Sequence, residues 1–134
     1  MNSVNTEKLV KSFPNLYPQM HPLYPVNEQV LFHFECGDGW FELLWDLSLT
    51  IEAEIVAIKS AQDSSDDGAP FAIQVKEKFG TLRFYMSSET DSISDAILTA
   101  ERRSAVTCEV CGEPGKLRGG GWVSTLCEKH APKG

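Results

Sequence analysis

The strongest regular pattern in the chain is helical and spans residues 40–58. Large apolar side chains recur there at intervals of three and four: Trp40, Leu44, Leu47, Ile51, Ile55 and Ile58. Such spacing places them along one stripe of an amphipathic α-helix. Asp38 is a candidate N-cap, and Glu42 lies in the first turns, where acidic side chains suit the helix dipole. We therefore predict a long helix that ends near Gln62, followed by the acidic loop "DSSDDGAP".

Residues 71–86 alternate between apolar and polar positions, which is the pattern of half-buried β-strands. One face is expected to carry Phe71, Ile73, Val75, Leu82, Phe84 and Met86. The opposite face is expected to carry Gln74, Lys76, Lys78, Arg83 and Tyr85. The two alternating runs meet at Phe79-Gly80, so the segment predicts a β-hairpin.

Two shorter segments have the signals of helices. "NTEKLVKSFP" carries candidate caps in Asn5 and Thr6, and Pro14 is expected to stop the helix. "ETDSISDAILTAERRSAV" has Thr90 or Asp91 as its candidate cap and delivers the chain to the C-terminal region. Both segments therefore add helices on either side of the predicted long helix and hairpin.

These elements together predict an α+β fold in which a long helix packs on a small antiparallel sheet. The proline-rich "PNLYPQMHPLYP" favours an extended strap over the core, with a recognition segment as the alternative. A strand is expected at 29–34, with His33 on its polar side. We divide the chain into a body, residues 1–107, and a metal-binding knuckle, residues 108–134, which together form one compact unit.

The length of 134 residues suits a single domain. No apolar run approaches the roughly 18 residues of a membrane span, and "MNSVNTEKLVKSF" lacks the features of a secretory signal. We therefore expect a soluble protein of a reducing cytoplasm. In that compartment four cysteines are more naturally metal ligands than disulfides.

The net charge of −7 argues against a long nucleic acid as the partner, because phosphate neutralisation dominates nucleic-acid affinity. The charge is unevenly distributed along the chain. Residues 35–67 carry nine acidic side chains and one basic side chain, whereas residues 74–118 carry seven of each. A local basic face in the second half is expected to suit a small anion better than a long duplex.

The cysteines and histidines near the C-terminus have the spacing of a metal site. Cys108-x2-Cys111 is followed, after fifteen residues, by Cys127-x2-His130. Each pair is expected to form a tight turn that aims two ligands at one point, and three thiolates with one imidazole suit tetrahedral zinc. We predict a structural zinc ion in a knuckle resembling a zinc ribbon or a shortened treble clef, with a short hairpin between the ligand pairs.

No coherent catalytic set is evident in the sequence. A zinc ion with four protein ligands lacks the open position that catalysis needs. Cys36 stands apart from the metal ligands and is interpreted as a buried small hydrophobe, a redox-active thiol or a nucleophile. Because no base lies beside it in the sequence, we favour the first interpretation and predict that the protein is not an enzyme.

The polar face of the predicted hairpin is the candidate ligand site. Cations beside an aromatic ring can hold a phosphate and stack a base. The alternative is a solvated face paired with acids such as Glu77. The candidate residues are Lys76, Lys78, Arg83, Tyr85, Arg102, Arg103 and Trp122.

Two glycine-rich stretches each have two interpretations. "GDGW", residues 37–40, is either plain capping or a backbone that an anion approaches closely at a helix N-terminus. "RGGGW" around Trp122 is either a flexible hairpin tip or a backbone that lies against another group. Trp122 itself is either part of the knuckle core or a ring on which a ligand stacks.

Four blocks of the sequence resemble a group of small phage and prophage proteins. The blocks are "CGDGWFELLWDL", "QVKEKFGTLRFY", "AERRSAVTCEVCG" and "GWVSTLCEKH", and the resemblance covers roughly residues 35–131. It implies a phage accessory protein in the cytoplasm of a bacterial host. By analogy with other small phage proteins, it also suggests a role in countering host defence.

We accordingly predict a non-enzymatic binding protein that recognises a small phosphorylated ligand such as a nucleotide signal. The alternatives are an acidic module that binds a host protein through Asp63, Asp66 and Asp67, and a zinc-dependent nucleic-acid binder. A domain with spare aromatic side chains can also self-associate into a homo-oligomer.

Overall fold

The computed structural model describes residues 1–17, 32–61 and 68–132. Over these ranges the chain forms α1 (Ser3–Ser12), β1 (Phe34–Glu35), a 3-10 turn (Asp38–Trp40), α2 (Phe41–Ala61), β2 (Ala72–Lys78), β3 (Thr81–Met86), α3 (Asp91–Ser104), β4 (Lys116–Arg118) and β5 (Ser124–Leu126). The predicted α+β class is confirmed. None of the helices in these ranges is long and apolar enough to cross a membrane.

The main sheet has the strand order β1-β2-β3 and is mixed, not antiparallel as predicted. β1 pairs with β2 in parallel, whereas β2 and β3 form the predicted antiparallel hairpin. The parallel pair arises because α2 lies between the two strands in the chain, and a helical crossover returns the chain in the same direction. A second sheet of two antiparallel strands, β4 and β5, confirms the short hairpin predicted near the C-terminus.

The predicted long helix is confirmed and forms the centre of the core. Trp40, in the 3-10 turn, and Leu44, Leu47, Ile51 and Ile55, in α2, are all buried, and they share one core with residues of α1, β1, the hairpin and α3. Ile58, the last residue of the predicted stripe, is only partly buried. Apolar residues spaced at a 3.6-residue period lie along one side of an α-helix, and that side packs against the core.

The prediction that Asp38 caps this helix is wrong. The chain enters α2 through the 3-10 turn, whose N-cap, Gly37, makes no side-chain bond. The Asp38 carboxylate instead accepts hydrogen bonds from the Asn2 backbone at 2.8 Å and from the Asn5 side chain at 3.3 Å. It therefore ties the start of α1 to the start of α2, a tertiary role that a local capping rule does not anticipate.

The other two helices have the predicted positions, with one change of cap. Asn2, not Asn5 or Thr6, caps α1, and its side chain accepts a hydrogen bond from the Asn5 amide at 2.8 Å. Thr90 caps α3 as predicted and accepts from the Ile93 amide at 3.2 Å.

The proline-rich strap lies mostly outside the described residues, as do positions 29–31 of the predicted strand 29–34. Of the described positions of that strand, only Phe34 belongs to β1, so the prediction placed the strand too early. Within the described ranges, Leu16 and Tyr17 are fully buried, and the Tyr17 hydroxyl is 2.7 Å from the Ser48 hydroxyl. Burial raises the pKa of Tyr17 above its ordinary value. His33 is exposed, as expected, immediately before β1.

A β-bulge shifts the predicted alternation in the first hairpin strand. The register changes between Ala72 and Gln74, so that Ala72 and Val75 are both buried although three positions separate them. Phe71 and Ile73, which we had expected on the buried face, are only partly buried. An extra residue in one strand moves the following side chains to the other face, and sequence alternation alone does not reveal it.

Beyond the bulge, the hairpin has the predicted two faces. Lys76 lies directly opposite Arg83, and Gln74 lies opposite Tyr85. Directly opposed residues share a face of the sheet. We call the surface formed by Lys76, Lys78, Arg83 and Tyr85 the cationic face; Val75 and Phe84, on the other side, belong to the core.

The hairpin turn holds a bulky residue in an unfavourable backbone conformation. Lys78 pairs with Thr81, which leaves a two-residue loop of Phe79 and Gly80 with φ values of 54° and 83°. Positive φ at both positions defines a type I′ turn, in which Asn-Gly is the preferred pair. The Phe79 side chain is 70% exposed, so little burial offsets the cost of its conformation.

We expect Phe79→Asn to raise the free energy of unfolding by about 1 kcal/mol, because Asn tolerates the left-handed conformation better than Phe. Urea denaturation of the metal-loaded protein measures the change. Gly80→Ala is the opposing control and should destabilise the protein, since Gly80 has a φ of 83°, which an L side chain disfavours. A less stable Asn variant would show that the Phe79 ring contributes to folding.

Candidate metal centre

The first ligand pair lies in a tight turn that begins four residues after α3. The Gly112 amide donates to the Cys108 carbonyl at 2.9 Å, and the Cys108 amide donates to the Glu113 carbonyl at 2.8 Å. Gly112 has a φ of 83°, which a side chain would disfavour. The turn directs the Cys108 and Cys111 sulfurs toward one point.

The β4–β5 hairpin brings the second ligand pair to the first. Cys127 directly follows β5, and His130 lies in the turn after it. The thiol sulfurs of Cys108, Cys111 and Cys127 and one ring nitrogen of His130 all lie within 4.8 Å of one another. The four predicted ligands therefore form one cluster that can hold a metal ion.

Three distances within the cluster are close to those of a tetrahedral site. The Cys111 and Cys127 sulfurs are 3.7 Å apart, and His130 Nδ1 is 3.2 Å from the Cys127 sulfur and 3.6 Å from the Cys108 sulfur. Tetrahedral coordination at a metal–sulfur distance of about 2.3 Å separates two sulfurs by roughly 3.8 Å. Nδ1 is thus the ligating nitrogen.

The backbone prepares Cys108 to bind as a thiolate. Burial by itself raises the pKa of this thiol, but hydrogen bonds from the backbone amides of Cys127, Cys111 and Val110 outweigh it and bring the pKa to about 6. A thiolate at neutral pH is the form that ligates a metal.

The knuckle lies against the "GDGW" segment at a distance that only glycine allows. A Cβ on Gly39 would lie 2.1 Å from the Cys108 carbonyl oxygen, and one on Gly37 would lie 2.3 Å from the Glu109 carbonyl oxygen. The Gly39 amide donates to the Glu109 carbonyl at 2.8 Å, and the Gly37 amide donates to the Glu109 carboxylate at 2.9 Å. The group that approaches this backbone is therefore the metal-binding turn of the same chain, not an anion.

Further hydrogen bonds join the knuckle to the body. The Trp40 indole donates to the Thr107 carbonyl at 2.9 Å, and the buried Thr125 hydroxyl donates to the Gly80 carbonyl at 2.6 Å. The boundary that we predicted between residues 107 and 108 thus runs through a hydrogen-bonded interface. Metal ligation and packing of the body are physically connected at this interface.

Cys36 is separate from the cluster, and its thiol is expected to be unreactive. It is buried, and burial raises the pKa of its thiol to about 12. The thiol is therefore protonated at neutral pH, which favours the small-hydrophobe interpretation over a redox-active thiol or a nucleophile.

The structure divides the predicted ligand-binding residues into three groups. Lys76, Lys78, Arg83 and Tyr85 share the cationic face. Arg102 and Arg103 lie on α3 and are exposed, and Arg103 pairs with Asp46 of α2 at 2.7 Å. Trp122 is 81% exposed in the β4–β5 loop, so it is not part of a knuckle core.

Many acidic side chains of residues 35–61 have structural partners, which sequence reasoning missed. Glu52 accepts hydrogen bonds from the backbone amides of Asn15 at 3.0 Å and Leu16 at 2.8 Å. Together with the roles of Asp38 and Asp46, this leaves a weaker acidic surface than the charge count indicates. Asp63, Asp66 and Asp67 lie outside the described residues.

The cationic face does not line either of two grooves between the helices. One, of about 420 Å³, lies between α1 and α2 beside Lys8, Phe41 and Trp45. The other, of about 270 Å³, lies between α2 and α3. The cations of the hairpin therefore present a surface, not the lining of either groove.

Comparison of the chain with known protein families, with curated proteins and with solved structures found no match. The resemblance to phage and prophage proteins therefore depends on the four sequence blocks alone.

We expect the purified protein to contain about one metal ion per chain, and its thiols to react in three stages. With metal bound, none of the four cysteines should react rapidly with a thiol reagent at pH 8. A chelator should release three reactive thiols, and Cys36 should react only after a denaturant is added. Rapid reaction of Cys36 in the folded protein would contradict its assignment as a buried neutral thiol.

We expect Gly39→Ala to lower the free energy of unfolding by about 1–3 kcal/mol, because the new methyl group overlaps the Cys108 carbonyl. The same substitution should weaken metal retention in a competition titration with a chelator. Gly120→Ala is the matched control, since a Cβ there meets nothing within 4 Å. Equal metal retention by both variants would show that docking and ligation are independent.

Proposed function

We propose that this protein is a non-enzymatic binding protein that recognises a small phosphorylated ligand on its cationic face. The observation that carries the proposal is the arrangement of three cations in a chain of net charge −7. Among the described residues, Lys76, Lys78 and Arg83 have no ion-pair partner. Phosphate oxygens are a suitable partner for such a group of cations.

The placement of the cations favours an anionic ligand. Lys76 and Arg83 are directly opposite each other on neighbouring strands, where like charges destabilise a sheet. Glu35 pairs in register with Lys76 on the β1 side and offsets only part of this charge. A bound anion would relieve the remaining repulsion.

Arg83 is held in a position from which it can bind. One guanidinium nitrogen donates to the Thr81 hydroxyl at 2.8 Å and to the Leu82 carbonyl at 3.2 Å. The other N–H groups remain for a ligand, since a guanidinium has five donors. Tyr85 is 43% exposed on the same face and offers a ring on which a base can stack.

We propose that the metal is zinc and that its role is structural. Three thiolates and one imidazole are a donor set that zinc prefers, and four protein ligands leave no position for a substrate. In this proposal the ion holds the β4–β5 hairpin and the Cys108 turn against the body. A zinc-ribbon-like description of the knuckle belongs to the same proposal.

The biological setting that we propose is a phage accessory protein acting in the cytoplasm of a bacterial host. Only the resemblance of the four sequence blocks supports it. Binding of a nucleotide signal of host defence would then be the type of function that unites the setting with the cationic face.

The proposal is tested by isothermal titration calorimetry of the metal-loaded protein with linear and cyclic nucleotides. We expect at least one to bind, and the double variant Lys76→Gln/Arg83→Gln to weaken binding at least about tenfold, since each charged hydrogen bond contributes about 1.5–3 kcal/mol. Arg102→Gln is the matched control, because this exposed arginine lies on α3. Absence of heat with every nucleotide, or equal affinity of the double variant, would refute the proposal.

A further inference from the structure

The tip of the β2–β3 hairpin carries an exposed aromatic residue, Phe79, that the fold does not require. We propose that the phosphorylated ligand is a short single-stranded nucleic-acid segment, with phosphates on the cationic face and bases stacked on Phe79 and Trp122. This inference rests on the proposed function and specifies the class of ligand for the same surface.

Phe79 is the first observation. Its φ of 54° is unfavourable for a bulky side chain, and 70% of that side chain is exposed. Asparagine or glycine would form the turn with less strain. A strained backbone that presents an aromatic ring to solvent is typical of a binding position.

The ring also lies next to the cations. Lys78 Nζ is 5.6 Å from the centroid of the Phe79 ring, and Lys76 precedes it on the same face of β2. Proteins that bind single strands combine cations that follow the phosphates with aromatic rings that stack on the bases. Lys76, Lys78 and Phe79 have both components in four consecutive positions.

Trp122 is the second, independent observation. It is the most exposed large hydrophobic side chain among the described residues, at 81%. The hairpin that carries this loop lies beside the β2–β3 tip: a Cβ on Gly80 would be 2.4 Å from Leu117 Cδ1 and 3.5 Å from the Ser124 carbonyl carbon. The β4–β5 strands on either side of the Trp122 loop therefore adjoin the turn that carries Phe79.

The extent of this surface favours a strand over a mononucleotide. From Lys76 to Phe79 the chain covers about 10 Å, and the hairpin that carries Trp122 adjoins this turn. None of these residues lines the groove between α1 and α2 or the groove between α2 and α3. A short strand that touches only this surface also avoids the acidic remainder of the chain, which would repel a long duplex.

The test is fluorescence polarisation of the metal-loaded protein with labelled ten-residue oligo-dT and oligo-U at low salt. We expect both oligomers to bind more tightly than the corresponding mononucleotides. The logarithm of the affinity should fall with the logarithm of salt concentration with a slope of about −2, as expected for three phosphate contacts with a single strand. Oligomer binding should also quench the emission of Trp122.

Phe79→Asn and Trp122→Ala should each weaken oligomer binding by roughly fivefold or more, through loss of base stacking. Leu98→Ala is the matched control, since this exposed side chain lies on α3. Because Phe79→Asn is expected to stabilise the turn, weaker binding by this variant would not be a consequence of unfolding. The free energy of unfolding of each variant is measured as well, so that weaker binding can be distinguished from loss of folding.

Each outcome separates this inference from the proposed function. If mononucleotides bind as tightly as oligomers and Phe79→Asn binds like the wild type, the strand is refuted while the proposed function remains. If neither class of ligand binds, both fail. If the two aromatic variants lose an acidic protein partner but bind oligomers normally, the surface is a protein interface and the inference is overturned.

Discussion

The structure depends on the close approach of two backbone segments, residues 37–39 and residues 108–109. Two glycines remove the side chains that would keep these segments apart, and the backbone amides of Gly37 and Gly39 donate to oxygens of Glu109. An unpaired buried amide costs free energy. The two hydrogen bonds to Glu109 remove that cost for Gly37 and Gly39. It also places the metal-binding turn directly against the entry to the central helix α2.

This contact explains why so short a C-terminal region can be ordered. The region after α3 contributes few buried apolar residues, so its order depends on attachment to the body, to which the proposed metal site would add. The hydrogen bonds from Trp40 to Thr107 and from Thr125 to Gly80 attach it at two further points. The same attachment brings strands β4 and β5 beside the tip of the β2–β3 hairpin.

At Phe79 the requirements of folding and those of the proposed binding surface differ. Its ring is mostly exposed, its backbone is strained, and it directly adjoins a row of cations. None of these features contributes to a compact core, whereas together they form a surface with charge and aromatic faces. Local conflict with folding rules is a property of many functional positions.

Much of the fold could be predicted from the sequence, and the exceptions share one cause. The stripe from Trp40 to Ile55, the hairpin and the four metal ligands are encoded by spacing within a few residues. The bulge at Ala72–Gln74 and the role of Asp38 depend on what lies opposite them in space. Local periodicity does not contain that information.

The candidate ligand site also combines features set by local sequence with features set by tertiary packing. The sequence alone determined that Lys76, Lys78, Arg83 and Tyr85 alternate to one face of a hairpin, because side chains in a strand have a period of two. Only the tertiary structure decided that Arg102 and Arg103 lie elsewhere, on the exposed side of α3.

The candidate metal centre shows most clearly which features come from sequence spacing and which come from tertiary packing. The ligand spacing identified Cys108, Cys111, Cys127 and His130, because two short turns suffice to direct two pairs of ligands. Only the tertiary structure decided that "GDGW" receives this centre and not an anion. Its partner, Glu109, lies 72 positions from Gly37, and a contact between residues so distant in the chain is set by packing of the whole domain.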